Sequence, residues 1–350
     1  MDTRVKPAYD ETLELAMKRV VLSALLAAMP LAFVHAAEPA PREPYGIGLE
    51  GFAYPYPVDM LPLVNDGEQV RMAYMDVAAS QPNGRTVVLL HGRNFPSVYW
   101  APVIKTLSEA GFHVVVPDQI GFGKSSKPAA DLHFDTLARN TMALLDHLGI
   151  AKADIVAHSL GGMLGVRIAR AYPDRIEHLL LAAPIGLEDY RLYVPPTPTE
   201  KILENEDKLT AEGYRKQLET NYSLKLPPEQ VTPFVDARFN IKGSSEYPRW
   251  LRAFVNSAQL IYREPVVHEI PLIPQPTLFV MGEDDHNAPG RPNAPEALRP
   301  KMGQNAELAK ALAAKMPNAR AEVISNTGHL VFLEARQRFD ELMLAFLSSR

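Results

Sequence analysis

Three kinds of side chain that together perform nucleophilic acyl chemistry stand at the ends of apolar runs in this chain: Ser159, the acids of Glu283-Asp284-Asp285, and His329. Serine is a weak nucleophile until a histidine takes its proton. That histidine in turn needs a carboxylate to fix its tautomer and stabilise the imidazolium. Ser159 closes the run Ile155-Val156-Ala157-His158 and is followed by Leu160-Gly161-Gly162 and a helix-compatible stretch, Met163 to Ala169. Strand, sharp turn and helix form the context of a G-x-S-x-G elbow, which exposes the serine oxygen at the top of a parallel sheet. Ala157 replaces the first glycine and keeps the requirement for a small residue in a strained turn.

The elements that must position these groups follow from the apolar patterning. Residues 86–90 are a continuous aliphatic and β-branched run, and 113–116, 154–157, 178–182, 277–281 and 321–324 are mostly apolar runs, as expected of strands in a covered sheet. Residues 70–77 alternate and read as an antiparallel strand before the Pro82-Asn83-Gly84 turn. Helical patterns occupy residues 98–110, 134–148, 305–316 and 334–347. Repeated strand–helix–strand units imply a mostly parallel sheet with helices on both faces. The alternation breaks over residues 188–265, which carry prolines, helical patterns and many aromatics, and are expected to form a helical cap over a pocket. The expected division is a Pro-rich arm at 37–69, a core formed by 70–187 and 266–350, and the cap at 188–265. In an open parallel sheet the strand ends that carry Ser159, the acid cluster and His329 face one side, where ligands bind.

Several other chemistries are excluded. The net charge of -5, without a basic block, offers nucleic acid no electrostatic footprint. The absence of cysteine removes disulfides, thiolate catalysis, thiolate metal sites and a lipid-modified cysteine anchor. No H-E-x-x-H or histidine cluster suggests a metal, and no cofactor is expected. Gly46-Ile47-Gly48-Leu49-Glu50-Gly51 is a literal G-x-G-x-x-G, but no strand precedes it and no helix follows. Gly123-Lys124-Ser125 has Asp118 where a phosphate loop requires its first glycine.

Taken in order, five motifs resemble those of the α/β-hydrolase fold superfamily in its cap-bearing form. They are His91-Gly92 after a strand, Asp118-x-x-Gly121-x-Gly123-x-Ser125, the elbow around Ser159, Gly282-x-x-Asp285-x-x-x-Pro289, and Gly328-His329 followed by Glu334. The chain is similar in particular to exported bacterial hydrolases with His-Gly-x-Asn-Phe and Asp-Gln-Ile-Gly-Phe segments. The resemblance spans residues 70 to the C-terminus and implies an eight-stranded, mostly parallel sheet. It also implies that Ser159 is the nucleophile, His329 the general base and then acid, and Asp285 the orienting carboxylate, with Asp284 as the rival. His158, His91 and Asp118 are expected to be structural, and His286 an exposed neighbour. The backbone N–H groups of Leu160 and Arg93 are the expected oxyanion donors, with Asn94 as the substitute. The Arg93 guanidinium is expected either to form a salt bridge at the pocket rim or to attract a substrate carboxylate.

A serine at the elbow argues against epoxide hydrolases and haloalkane dehalogenases, which resemble this fold but use aspartate there. Hydrolysis of a small carboxylic ester or lactone through an acyl-enzyme is the expected activity. The alternatives are C–C bond hydrolysis of the meta-cleavage type, and a non-catalytic binding module on the same scaffold.

Residues 1–36 are expected to contain a secretory signal peptide: Met17-Lys18-Arg19, an uncharged apolar run to Phe33, and small residues at Ala36-Ala37. Met17 is the expected start, with an over-extended leader before it, and the mature protein is expected in the periplasm or outside the cell without a membrane anchor. N-terminal sequencing of the exported protein should begin at Ala37 or Glu38, and residues upstream of Ala37 would overturn the assignment.

Overall fold

A computed structural model of the chain describes Met1 and residues 44–349, so the expected signal peptide, from Met17 to Ala36 or Ala37, lies outside the described residues. Eight strands form one sheet in the order β1-β2-β4-β3-β5-β6-β7-β8. They are β1 (Asp59–Asn65), β2 (Glu68–Val77), β3 (Thr86–Leu90), β4 (His113–Pro117), β5 (Ala153–His158), β6 (Ile176–Ala182), β7 (Thr277–Gly282) and β8 (Ala319–Ile324). The pairs β1–β2 and β2–β4 are antiparallel and the remaining pairs parallel.

Side chains alternate between two apolar layers, as the two-residue period of a strand dictates. Val88, Leu90, Ile155, Ala157, Leu179, Leu181, Phe279 and Met281 face one layer. There they pack with α2 (Phe134–His147), α3 (Leu160–Ala171) and α8 (Asn305–Ala313). Val87, Leu89, Val156, Leu180, Leu278 and Val280 face the other, with α1 (Ala101–Glu109) and α10 (Arg336–Leu347). Both faces are covered, which explains why the middles of these strands are apolar on both sides.

The arm expected over 37–69 needs correction at its C-terminal part: residues 59–65 are edge strand β1, paired with β2 through an Asp66-Gly67 turn. Both turn residues have positive φ (50° and 83°), as a two-residue hairpin loop requires. Pro62 obscures the strand in sequence, yet an edge strand tolerates proline because one side of its backbone needs no partner. The preceding Gly46–Gly51 stretch is irregular, and Leu49 packs on Ala237 and Ile241.

Between β6 and β7 the chain forms α4 (Thr199–Lys208), α5 (Ala211–Asn221), α6 (Pro228–Phe239) and α7 (Tyr247–Arg263). The two ends of this excursion meet where His268 Nε2 lies 3.3 Å from Asp189 Oδ2. A short helix α9 (Val331–Glu334) follows the loop after β8.

The elbow helix α3 lies so close to β3 that a Cβ on Gly161 would sit 2.4 Å from the Leu90 carbonyl oxygen and 2.6 Å from that of His91. Gly161→Ala should therefore cost about 1–3 kcal/mol of stability through overpacking. Urea unfolding measures it, and a wild-type midpoint would refute the close approach.

Candidate active site

The strand order reverses at β3, because β4 lies on one side of it and β5 on the other. Such a switch point opens a crevice at the carboxyl ends of the strands. Arg93 follows β3 there, Ser159 follows β5, Asp285 follows β7 and His329 follows β8.

Ser159 adopts φ 56° and ψ −120°, a conformation uncommon for a non-glycine residue. Packing holds it: a Cβ on Gly92 would lie 3.0 Å from that of Ser159, and one on Gly162 would lie 2.6 Å from Pro184 Cβ. Ser159 Oγ is 3.0 Å from His329 Nε2, and His329 Nδ1 is 2.9 Å from Asp285 Oδ2. His329 and Asp285 are buried, and the second Asp285 oxygen accepts the Asn287 N–H at 3.0 Å. The network assigns the ring proton to Nδ1 and leaves Nε2 to accept the serine hydroxyl proton. Asp284 turns away and pairs with Lys225. His286 is exposed, with Nδ1 on the Gly303 carbonyl.

The expected oxyanion donors are open. Among the described residues, no acceptor takes the backbone N–H of Arg93 or of Leu160. Leu160 opens α3, so the positive end of that helix points at the same spot. The side-chain amide of Asn94 donates to the Tyr222 hydroxyl.

The neighbouring groups are structural. Asp118 accepts from Tyr54 Oη (2.6 Å), the Ser97 N–H (3.0 Å) and the Lys124 N–H (2.8 Å), which closes its turn. His91 Nδ1 donates to the Gly92 carbonyl and its Nε2 accepts the Gln119 N–H at 2.9 Å. His158 Nδ1 accepts from Tyr99 Oη at 3.0 Å, while its Nε2 donates to the His329 carbonyl at 3.1 Å. Burial lowers the pKa of both histidines; for His158 the nearby His329 ring adds to the effect and the shift is large.

Some contributors escape sequence reasoning, or are named there without a role. The Tyr222 carbonyl, at the end of α5, accepts the His329 N–H at 2.8 Å. Glu334 takes the N–H groups of Gly328 (3.0 Å) and Leu330 (3.1 Å), bracketing the histidine. Asn287 Nδ2 lies 3.4 Å from His329 Nε2. Of these only Glu334 belongs to a local motif; Tyr222 reaches the site from a segment with no readable register.

The Arg93 guanidinium forms a salt bridge. Its Nη2 is 3.2 Å from Glu206 Oε1, and Arg238 holds the other oxygen of Glu206. Burial pushes the Glu206 carboxyl up, but the two guanidiniums outweigh it and hold the carboxyl below its usual range. Ser159 and these three residues line a cavity of about 610 Å³, together with Tyr190 and Tyr262.

Residues 85–336 match the alpha/beta hydrolase fold family, and the chain belongs to it. The crystal structure of a probable hydrolytic enzyme from Pseudomonas aeruginosa PAO1 is similar at 38% identity and a TM-score of 0.84, over 88% of this chain and 99% of the other. A 2-hydroxy-6-oxononadienedioate/2-hydroxy-6-oxononatrienedioate hydrolase of Burkholderia vietnamiensis is 28% identical over 81% of this chain and 93% of its own length. A 2-hydroxy-6-oxo-6-phenylhexa-2,4-dienoate hydrolase of Burkholderia cepacia is 27% identical over 76% and 88%. The protein is a hydrolase.

The two buried histidines give stability a definite pH dependence. Unfolded, each takes up a proton near pH 6.5, whereas folded each stays neutral to lower pH. Their contribution is complete above about pH 6.5 and is lost as the pH falls toward each folded pKa, at a limiting slope of about 1.4 kcal/mol per unit for each histidine. Urea unfolding between pH 7.5 and 5 should show this slope, and His158→Gln should flatten it; identical slopes would reject the assignment.

Proposed function

We propose that the protein is a serine hydrolase that cleaves a small carboxylic ester or lactone through an acyl-enzyme intermediate. The observation that carries this reading is the hydrogen-bonded line Ser159–His329–Asp285, which opens on a cavity beside two backbone N–H groups that have no acceptor among the described residues. Ser159 Oγ attacks the carbonyl carbon as its proton passes to His329 Nε2. Asp285 stabilises the imidazolium, and the Leu160 and Arg93 N–H groups receive the oxyanion. Collapse breaks the bond to the alcohol oxygen, which leaves with the proton from His329. Water then attacks the acyl carbon as His329 takes its proton, the bond to Ser159 Oγ breaks, Oγ regains the proton from His329, and the acid departs.

C–C hydrolysis of the meta-cleavage type is the second reading, favoured by the Burkholderia relatives that act on 2-hydroxy-6-oxo dienoates. Turnover of p-nitrophenyl acetate without activity on ring-fission products supports the ester reading, and the reverse outcome replaces it. In either case Ser159→Ala should lose on the order of a million-fold in kcat and Asp285→Asn about 10⁴-fold. Near-normal turnover by Ser159→Ala would reject the mechanism. Export to the periplasm, as residues 17–37 suggest, belongs to the same proposal.

A further inference from the structure

The loop that follows β3 is held from two sides. On the core side the Gly92 N–H donates to Tyr99 Oη at 2.7 Å and Phe95 packs on the Tyr99 ring. The two residues between them are held by the helices inserted between β6 and β7. Arg93 Nε donates to Ser257 Oγ at 2.8 Å, and Nη2 donates to Glu206 Oε1 and to the Phe254 carbonyl, each at 3.2 Å. The guanidinium also lies 3.9 Å from the centre of the Phe254 ring. Asn94 is held at both ends, its amide on the Tyr222 hydroxyl and its carbonyl accepting from Tyr214 Oη at 3.2 Å. Contacts from α4, α5 and α7 thus converge on a segment whose Arg93 N–H has no acceptor among the described residues.

A planar guanidinium with this many partners fixes the direction of its own backbone, which a flexible ammonium does less well. We propose that Arg93 is a positioning residue: clamped by Glu206, Ser257 and Phe254, its side chain aims its own N–H at the developing oxyanion. Seating of the cap and completion of the oxyanion hole are then one event. Arg238, on the far oxygen of Glu206, holds the clamp from α6. The proposal rests on the serine-hydrolase reading.

The test compares wild type with Glu206→Gln, Arg93→Met, Arg93→Lys and the Arg93→Met/Glu206→Gln double variant. The readouts are kcat and KM on p-nitrophenyl acetate, the rate of Ser159 labelling by a fluorophosphonate, and Tm. Glu206→Gln and Arg93→Met should each lower kcat about 10- to 100-fold with KM nearly unchanged, and labelling should slow in parallel. The double variant should be no worse than the poorer single, and Arg93→Lys should recover part of the loss. Arg249→Ala cuts a different cap–core contact, to the Lys127 carbonyl at 2.6 Å and Glu68 at 3.0 Å. It should lower Tm while leaving kcat within about twofold of wild type, a change below 0.5 kcal/mol. Variants that lose Tm but keep kcat, or whose loss lies entirely in KM, overturn the proposal. Unlabelled Ser159 in the wild type sinks the serine-hydrolase reading and the proposal with it. Fast labelling in wild type and equally fast labelling in Glu206→Gln sinks the proposal alone.

Discussion

One buried polar chain ties three strand ends together, and the rest of the site depends on it. The Gly92 N–H donates to Tyr99 Oη, Tyr99 donates to His158 Nδ1, and His158 Nε2 donates to the His329 carbonyl. The loop after β3, the elbow after β5 and the loop after β8 are thereby registered through uncharged groups alone. The chain works only while His158 stays neutral, since a second ring proton would leave Tyr99 facing a donor. Burial enforces that state. The polar groups pair at little cost, because in this buried chain each donor meets one acceptor.

How much of this was readable in the sequence varies with distance along the chain. The elbow is a local event: strand, tight turn and helix fall within residues 153–171, and small residues mark where backbones touch. The acid and the histidine are legible as single residues at the ends of apolar strands. Asp285 rather than Asp284 is decided by the turn after β7, which aims one side chain at His329 and the other at Lys225. Edge strand β1 was hidden because its proline and exposed side chains carry the marks of an irregular arm. Tyr222, Glu206 and Arg238 were hidden for a different reason: nothing in a helical segment with aromatics on several faces records where it docks. Arg93 itself is compatible with two roles in the sequence, and its partner Glu206 lies 113 residues away in a helix.

The cavity is therefore a product of two halves with different information content. The sheet side supplies reacting groups that a short motif can specify. The helical side supplies shape, and it also supplies the Tyr222 carbonyl that accepts the His329 N–H. That dual role accounts for a chain whose family is plain in its sheet-end motifs while the shape of its pocket is not.

The meeting of Asp189 and His268 at the base of the excursion has an evolutionary consequence. When entry and exit of an inserted segment lie side by side, its length and fold can change without disturbing the strands that flank it. Such a junction makes the helical segment exchangeable between lineages, a route to new substrates on an old sheet. The exchange has two conditions, however. An incoming segment must bring a carboxylate for the guanidinium of residue 93 and a carbonyl for the N–H of residue 329, or the lineage must replace both anchors. Freedom to vary the wall is bounded by two contacts with the floor.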